Sequence, residues 1–167
     1  MTTRILVVED DPALRNVLAD DLSRRGHEVR GLASADEAFD VLASADFDVV
    51  VTDLNMRGMN GIELCDRIVA NRPDVPVIVV TGFGTMETAI ATLRAGAFDF
   101  LTKPFDMDEL ALAVERAVQH RELREEVKRL RQAVQGTKAL GELIGQSPEM
   151  RRVFDLIGRV AETDASV

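Results

Sequence analysis

Three short apolar runs constrain the fold of this chain more than any other feature of the sequence. They lack the alternation of polar and apolar residues that a half-exposed strand shows. Such runs are typical of strands that a parallel sheet buries on both faces. The three runs are Ile5-Leu6-Val7-Val8, Val49-Val50-Val51 and Val77-Ile78-Val79-Val80. Weaker strands fit residues 28–31 and 99–102.

Helical patterns lie between these strands. The first pattern, over residues 12–25, predicts one apolar face made by Leu14, Val17, Leu18 and Leu22. Further helices are indicated for residues 35–43, 60–71 and 86–95. The repeated order of strand and helix predicts a doubly wound α/β domain with right-handed crossovers. We expect this domain to span residues 1–120.

The composition excludes several classes of function. The 167 residues carry a formal net charge of −9, which disfavours a surface for nucleic acid or for an anionic membrane. The single cysteine, Cys65, excludes a disulfide within the chain and is interpreted as a small buried hydrophobe. No apolar run reaches the roughly 18 residues of a membrane span, and no signal-peptide pattern precedes the first strand. We therefore expect a cytoplasmic protein.

Polar residues follow the predicted strands at their carboxyl ends. Ligands of an open parallel sheet bind in the crevice at that edge. The residues found there are Glu9, Asp10 and Asp11 after the first strand, Asp53 after the third, Thr81 after the fourth and Lys103 after the fifth. The sequence therefore predicts one site that combines acidic side chains with a hydroxyl group and an ammonium group.

This set of side chains indicates a particular chemistry. Clustered carboxylates repel one another unless a cation compensates their charge, and oxygen ligands suit a hard ion such as Mg2+, which commonly also binds a phosphate. We therefore expect phosphoryl transfer, with Asp53 as the nucleophile because it stands alone, facing Glu9 and Asp10. Two interpretations remain open for Asp11: it helps to bind the metal, or it begins the first helix as an acid that the helix dipole favours.

Four motifs, in order at the ends of four strands, resemble the response-regulator receiver family. They are Val7-Val8-Glu9-Asp10-Asp11-Pro12, then Val51-Thr52-Asp53-Leu54-Asn55-Met56 with Gly58 and Asn60-Gly61, then Val80-Thr81-Gly82, and Phe100-Leu101-Thr102-Lys103-Pro104-Phe105. The resemblance covers residues 4–120. It implies a flavodoxin-like, CheY-like parallel sheet of five strands in the order 2-1-3-4-5, with an extended C-terminal helix.

The resemblance also implies a phosphoacceptor and a metal site. Asp53 would accept a phosphoryl group from a sensor histidine kinase. Glu9 and Asp10 would hold Mg2+ together with Asp53, with Asp10 as the more direct ligand, and Asn55 would contribute its backbone carbonyl. The chain would then be a phosphoprotein of a two-component system rather than an enzyme, with only slow dephosphorylation of its own.

Further roles follow from the same resemblance. Thr81 would bind the phosphoryl oxygen and Lys103 would pair with it. Phe100 would be the aromatic residue of the switch, although the alternative of a plain core residue stays open. The Lys103–Pro104 peptide bond would be cis, which proline permits at modest cost.

Segments further along the chain resemble activators of the NtrC type, in which a receiver controls a central AAA+ ATPase that acts on sigma-54 RNA polymerase. These segments are Gly82-Phe83-Gly84-Thr85, Gly96-Ala97-Phe98-Asp99-Phe100 and Ile144-Gly145-Gln146-Ser147-Pro148-Glu149-Met150. No G-x-x-x-x-G-K-[ST] loop occurs, so we interpret residues 142–167 as the start of a truncated ATPase domain. The polymerase and DNA would be partners only through domains absent here, and no membrane partner is expected.

The last helix of the receiver is expected to run from Met107 to Gln135, where Gly136 breaks it. Its first half would pack on the sheet through Leu110, Val114, Ala117 and Val118. Its second half belongs to a linker, residues 121–141, and carries an apolar seam at coiled-coil spacing formed by Leu123, Val127, Leu130 and Val134. This seam predicts a homodimer with parallel helices that also uses the fourth helix, fifth strand and fifth helix, although an ordinary amphipathic helix that packs on its own domain stays open as the alternative.

Two other functions remain as alternatives. A phosphohydrolase similar to the haloacid-dehalogenase-like phosphatases would also use an aspartate nucleophile, but that resemblance implies a second acid two residues later to protonate the leaving group. Asn55 occupies that position here. A dimerisation scaffold without phosphotransfer would not need to keep the complete acidic set. Both alternatives therefore explain fewer of the residues than a phosphorylated switch does.

Overall fold

The computed structural model describes residues 2–82 and 84–138, and the side chains among them up to residue 132. In this part of the chain five strands alternate with five helices. Their bounds are β1 (Arg4–Val8), α1 (Pro12–Arg24), β2 (Glu28–Leu32), α2 (Ala35–Ser44), β3 (Val49–Asp53), α3 (Gly61–Asn71), β4 (Val77–Thr81), α4 (Met86–Arg94), β5 (Asp99–Thr102) and α5 (Met107–Lys138). The strands form one parallel sheet in the order β2-β1-β3-β4-β5, which confirms the predicted fold.

The sheet is buried on both faces, as its uninterrupted apolar strands predict. Alternate residues of a strand point to opposite faces, so Leu6 and Val8 pack with α2 and α3 in one apolar cluster. Ile5 and Val7 pack with α1 and α5 in the other cluster. Cys65 is fully buried in the first cluster, in agreement with its interpretation as a small hydrophobe. Burial raises the pKa of its thiol to about 11.

Two expectations about the helices are wrong. Val17 is 54% exposed, whereas Leu18 and Leu22 of the same helix are buried. The buried stripe follows a spacing of four residues from Leu14 through Leu18 to Leu22, and Val17 lies about 100° around the helix from Leu18. Gly136 does not break α5, which continues to Lys138. A glycine costs a helix about 1 kcal/mol relative to alanine, which its neighbours can offset.

The chain forms two compact units, Met1–Glu125 and Glu126–Val167. In the first unit α5 packs on the sheet through Leu110, Val114 and Ala117, with Val118 partly buried, as predicted. In the second unit the structure describes a helix to Lys138 with an ion pair between Arg129 and Glu126. The expected ATPase segment, residues 142–167, lies outside the described residues. No helix in the described part of the chain combines the length and apolar character that crossing a bilayer requires.

The start of α3 packs against the end of β3 without room for a side chain. A Cβ atom on Gly61 would collide with the backbone carbonyl of Asp53 and come close to Leu54. Gly61 also donates a backbone hydrogen bond to the Leu54 carbonyl, at 3.0 Å. Because Gly61 has no side chain, the start of α3 can pack directly against the main chain of Asp53.

We expect Gly61→Ala to lower the free energy of unfolding by about 1–3 kcal/mol, because main-chain atoms must shift to admit the methyl group. Urea denaturation followed by circular dichroism measures this change. Gly82→Ala is the matched control, since a Cβ atom there meets nothing within 4 Å. Equal effects of the two substitutions would contradict this account of Gly61.

Candidate functional site

The register of the sheet places the acidic residues next to one another. Val8 of β1 pairs with Thr52 of β3, so the residues that follow, Glu9 and Asp53, lie side by side at the carboxyl edge. Only 3% of Glu9 and 6% of Asp53 is exposed. Carboxylates are rarely buried to this extent unless they are paired, so their position demands a compensating group.

Lys103 provides this compensation from the end of β5. Its Nζ atom lies 2.6 Å from Oδ1 of Asp53 and 2.8 Å from Oε2 of Glu9. Its backbone N–H donates to the carbonyl of Thr81 at 2.7 Å, which ties the ends of β4 and β5 together. The Lys103–Pro104 bond that follows is cis, as expected.

Burial and the hydrogen bonds of the ion pair act in opposite directions on the pKa values of Glu9 and Lys103. Burial raises the pKa of Glu9 above its ordinary value, although the hydrogen bond from Lys103 acts in the opposite direction. Burial alone would lower the pKa of Lys103, but its hydrogen bonds to Asp53 and Glu9 outweigh that effect and raise the pKa. The site therefore favours a protonated lysine and tolerates charge on Glu9 only at a cost.

Three carboxylates converge at this edge of the sheet. Oxygen atoms of Glu9, Asp10 and Asp53 all lie within 4.8 Å of one another, a spacing that could hold a metal ion. With Lys103 included, these side chains retain two formal negative charges, which one divalent cation would neutralise. Carboxylate oxygens are the ligands that Mg2+ prefers, so the donor set fits this ion.

The carboxylate of Asp11 is used differently. Its Oδ1 accepts hydrogen bonds from the backbone N–H groups of Ala13, at 2.8 Å, and Leu14, at 3.4 Å. Asp11 is thus the N-cap residue of α1. N-capping satisfies backbone donors that would otherwise lack partners at a helix start. Of the two interpretations of Asp11, the structure supports the one in which it begins the helix.

The remaining predicted site residues lie around this cluster. Asn55 is exposed, and its backbone N–H donates to Oδ2 of Asp53 at 2.8 Å. Thr81 is fully buried at the last position of β4. Phe100 is half-buried in β5, where it pairs in register with Val79. The structure therefore brings Asn55 and Thr81 to the same edge as Lys103 and places Phe100 within the strand that leads to it.

One contact to the acidic residues was not predicted from the sequence. The Nη1 atom of Arg15 lies 2.6 Å from the backbone carbonyl of Glu9 and 3.5 Å from that of Asp10. A main-chain acceptor leaves no pattern in the sequence, so this contact could not be read from residue types alone. The one available signal is Gly31 in β2, because a glycine within a strand often marks a close approach.

Comparison with known proteins identifies a matching family and relatives of this chain. The family model described as "Response regulator receiver domain" matches residues 5–115. The C4-dicarboxylate transport transcriptional regulatory protein DctD of Rhizobium meliloti is 38% identical over 164 residues, which are 98% of this chain and 35% of DctD. The DNA-binding transcriptional regulator NtrC of Escherichia coli is 35% identical over 163 residues, 98% of this chain and 34% of NtrC. The chain thus spans about a third of the length of these relatives.

Solved structures agree with these sequence comparisons. The crystal structure of NtrX from Brucella abortus in complex with ATP matches with a TM-score of 0.74 and 37% identity, over 96% of this chain and 35% of that one. The solution structure of the beryllofluoride-activated NtrC4 receiver domain dimer matches with a TM-score of 0.68 and 32% identity, over 71% of this chain and 98% of that one.

We expect Lys103→Met to lower the free energy of unfolding in metal-free buffer by about 3 kcal/mol, because it leaves two buried carboxylates without their cation. Added Mg2+ should restore part of this loss. The difference from the wild type should shrink as the pH falls towards the raised pKa of Glu9, since a neutral carboxyl group needs no cation.

Denaturation curves at several pH values, with and without Mg2+, measure these changes. The matched control is Lys128→Met, which removes a lysine from an exposed position of α5. A loss in Lys103→Met no larger than in this control would show that the ion pairs of Lys103 contribute nothing to stability.

Proposed function

Because the chain belongs to the response regulator receiver family, we propose that it is a phosphorylated switch of a two-component system. In this proposal Asp53 accepts a phosphoryl group from a sensor histidine kinase. The observation that carries it is the buried Asp53 carboxylate, 2.6 Å from the ammonium group of Lys103 and beside Glu9 and Asp10. The proposal includes the cytoplasmic location that is usual for such regulators.

The arrangement of groups around Asp53 supports nucleophilic attack on phosphorus. A carboxylate oxygen of Asp53 would form the new P–O bond, while the bond between phosphorus and the donor group of the kinase breaks. Lys103 and Thr81 would bind oxygen atoms of the transferred group, and Asn55 holds the second carboxylate oxygen of Asp53 through its backbone N–H. The product is an acyl phosphate on Asp53.

The acidic residues fit the metal that this chemistry uses. Glu9, Asp10 and Asp53 would hold Mg2+, together with the backbone carbonyl of Asn55. When bound, the ion offsets the negative charge that the carboxylates and the phosphoryl group bring together. The residual charge of the cluster and its oxygen ligands support this assignment.

The same residues favour a long-lived phosphorylated state over rapid hydrolysis. A phosphohydrolase that uses an aspartate nucleophile needs an acid to protonate its leaving group, and Asn55 offers an amide where that acid would be. An amide also cannot act as the base that activates water for hydrolysis of the acyl phosphate, so the phosphorylated state would persist long enough to act on a partner. Thr81 and Phe100 would report this state, Thr81 by binding the phosphoryl group and Phe100 by changing its packing in β5.

We expect Asp53→Asn to abolish labelling by acetyl phosphate in the presence of Mg2+, since an amide is not a nucleophile. Intact-protein mass spectrometry measures one added phosphoryl group in the wild type and none in the variant. Asp46→Asn, at an exposed carboxylate, is the control and should label like the wild type.

The same experiment separates the alternatives. A lasting adduct supports the switch, whereas rapid release of inorganic phosphate without an adduct would indicate a phosphohydrolase. A wild-type chain that acquires no phosphoryl group under these conditions would indicate a scaffold. Labelling of Asp53→Asn at the wild-type rate would disprove Asp53 as the acceptor.

We propose in addition that the chain forms a homodimer through α5. Leu123, Val127 and Leu130 follow the spacing of a coiled coil, and they are 64%, 39% and 55% exposed. Large apolar residues that are exposed together mark a candidate interaction surface. The side chain of Val134 lies outside the described residues. A seam this short does not associate alone, so α4 and β5 would share the interface with α5. The similar NtrC4 receiver domain is described as a dimer.

In the complete protein, the dimer would transmit the state of Asp53 to further domains. Residues 121–141 would be the linker and residues 142–167 the start of an AAA+ ATPase that activates sigma-54 RNA polymerase. The relatives DctD and NtrC, of which the chain spans about a third, are named as transcriptional regulators. Contacts with the polymerase and DNA would be made outside the residues of this chain.

We expect Leu123→Asp and Leu130→Asp each to raise the dissociation constant of the dimer at least about tenfold, because a charge would be buried in an apolar seam. Sedimentation velocity at micromolar concentration measures the change, and labelling of Asp53 should remain normal. Val17→Asp, at an exposed apolar residue of α1, is the control. Wild-type assembly of both α5 variants would disprove the seam.

A further inference from the structure

Arg15 lies in the second turn of α1, and its guanidinium group reaches back to the main chain of the acidic residues. Nη1 donates to the Glu9 carbonyl at 2.6 Å and approaches the Asp10 carbonyl at 3.5 Å. The backbone N–H of Arg15 also donates to the Asp11 carbonyl at 2.9 Å. The side chain of Arg15 thus binds the Glu9 carbonyl and lies near that of Asp10, while its backbone makes the first hydrogen bond of the helix.

The aliphatic part of the Arg15 side chain lies on the bare backbone of Gly31 in β2. A Cβ atom on Gly31 would lie only 3.1 Å from Cγ and 3.2 Å from Cδ of Arg15. A glycine weakens a strand, because it has no side chain to pack and loses more entropy on folding. The close passage of Arg15 gives a physical reason for a glycine at this position.

Glu9 and Asp10 differ in how firmly the rest of the structure holds them. The backbone N–H of Glu9 donates to the Leu32 carbonyl at 3.0 Å, and its carboxylate binds Lys103. Asp10 follows after the last residue of β1 and is only half-buried. Of the two residues, Asp10 therefore depends more on the support that Arg15 gives to the main chain.

We propose that Arg15 is a positioning residue for the metal site: it fixes the main chain of Glu9 and Asp10 so that their carboxylates converge with Asp53. The inference rests on the proposed function, because it concerns the site that would hold Mg2+. Arg15 would act through the backbone, because its side chain contacts main-chain carbonyl groups. Gly31 supports this role, because its lack of a side chain leaves the space that the side chain of Arg15 occupies.

A positioning role differs from a general effect of positive charge. A lysine at this position keeps the charge, but its Nζ atom is one bond closer to Cα than the Nη1 atom of arginine, so it cannot reach the Glu9 carbonyl in the same geometry. Charge alone would make lysine as good as arginine. Charge alone would also make the loss of Arg15 strengthen Mg2+ binding, since a positive charge near the site repels the cation.

The test measures Mg2+ affinity by isothermal titration calorimetry, which suits a chain without tryptophan or tyrosine. We expect Arg15→Met to weaken Mg2+ binding by about tenfold to a hundredfold, the usual effect of losing a group that supports metal ligands. Arg15→Lys should recover only a small part of this loss. Arg24→Met is the matched control, because it removes a highly exposed arginine from the same helix. Wild-type affinity of Arg15→Lys, or an equal loss in Arg24→Met, would overturn the proposal.

The role of Gly31 is tested by a double-mutant cycle. Gly31→Val should weaken Mg2+ binding in the wild type because its side chain displaces Arg15, and it should add less than about twofold in the Arg15→Met background. Equal effects of Gly31→Val in both backgrounds would show that Gly31 acts by another route and would overturn the link to Arg15.

Amide hydrogen exchange in metal-free protein gives an independent measurement. Arg15→Met should speed exchange at residues 9–11, whereas Arg24→Met should not, and unchanged exchange in Arg15→Met would overturn the proposal. Wild-type protein that fails to bind Mg2+ would count against the proposed function alone. The exchange data would then decide whether Arg15 holds this segment.

Discussion

The burial of two carboxylates side by side at the edge of the sheet is the constraint that shapes this site. Glu9 and Asp53 are almost completely buried, and Asp10 lies close to both. Lys103 binds the two buried carboxylates, yet the cluster retains a formal charge that a divalent cation would balance. The fold therefore keeps together a set of groups that would separate if the backbone allowed it.

The backbone resists that separation through the sheet itself. β1 and β3 are adjacent central strands, and their register leaves Glu9 and Asp53 no freedom to move apart. Gly61 allows α3 to pack directly against the backbone carbonyl of Asp53, which limits the movement of Asp53. The apolar clusters on the two faces supply the free energy that holds these strands in place, since burial of apolar surface is the main favourable contribution to folding.

Much of this arrangement could be predicted from residue types and their order. The uninterrupted apolar strands predict a sheet buried on both faces, and the polar residues after them predict the position of the site, because parallel strands present their carboxyl ends at one edge. Periodicity was less reliable for single residues, as the exposed Val17 shows. The contact of Arg15 with main-chain carbonyls could not be predicted, since any residue provides the same acceptor.

The contacts of Lys103 link Asp53 to the ends of β4 and β5, on which the proposed phosphorylation would act. Its side chain binds Asp53, while its backbone N–H binds the carbonyl of Thr81 at the end of β4. A phosphoryl group on Asp53 would add further negative charge within reach of both Lys103 and Thr81. Any movement of these residues towards that charge would act on the ends of β4 and β5 together, because they are already joined. Phe100 lies in β5 three residues before Lys103, and in the proposed function its packing changes with the same movement.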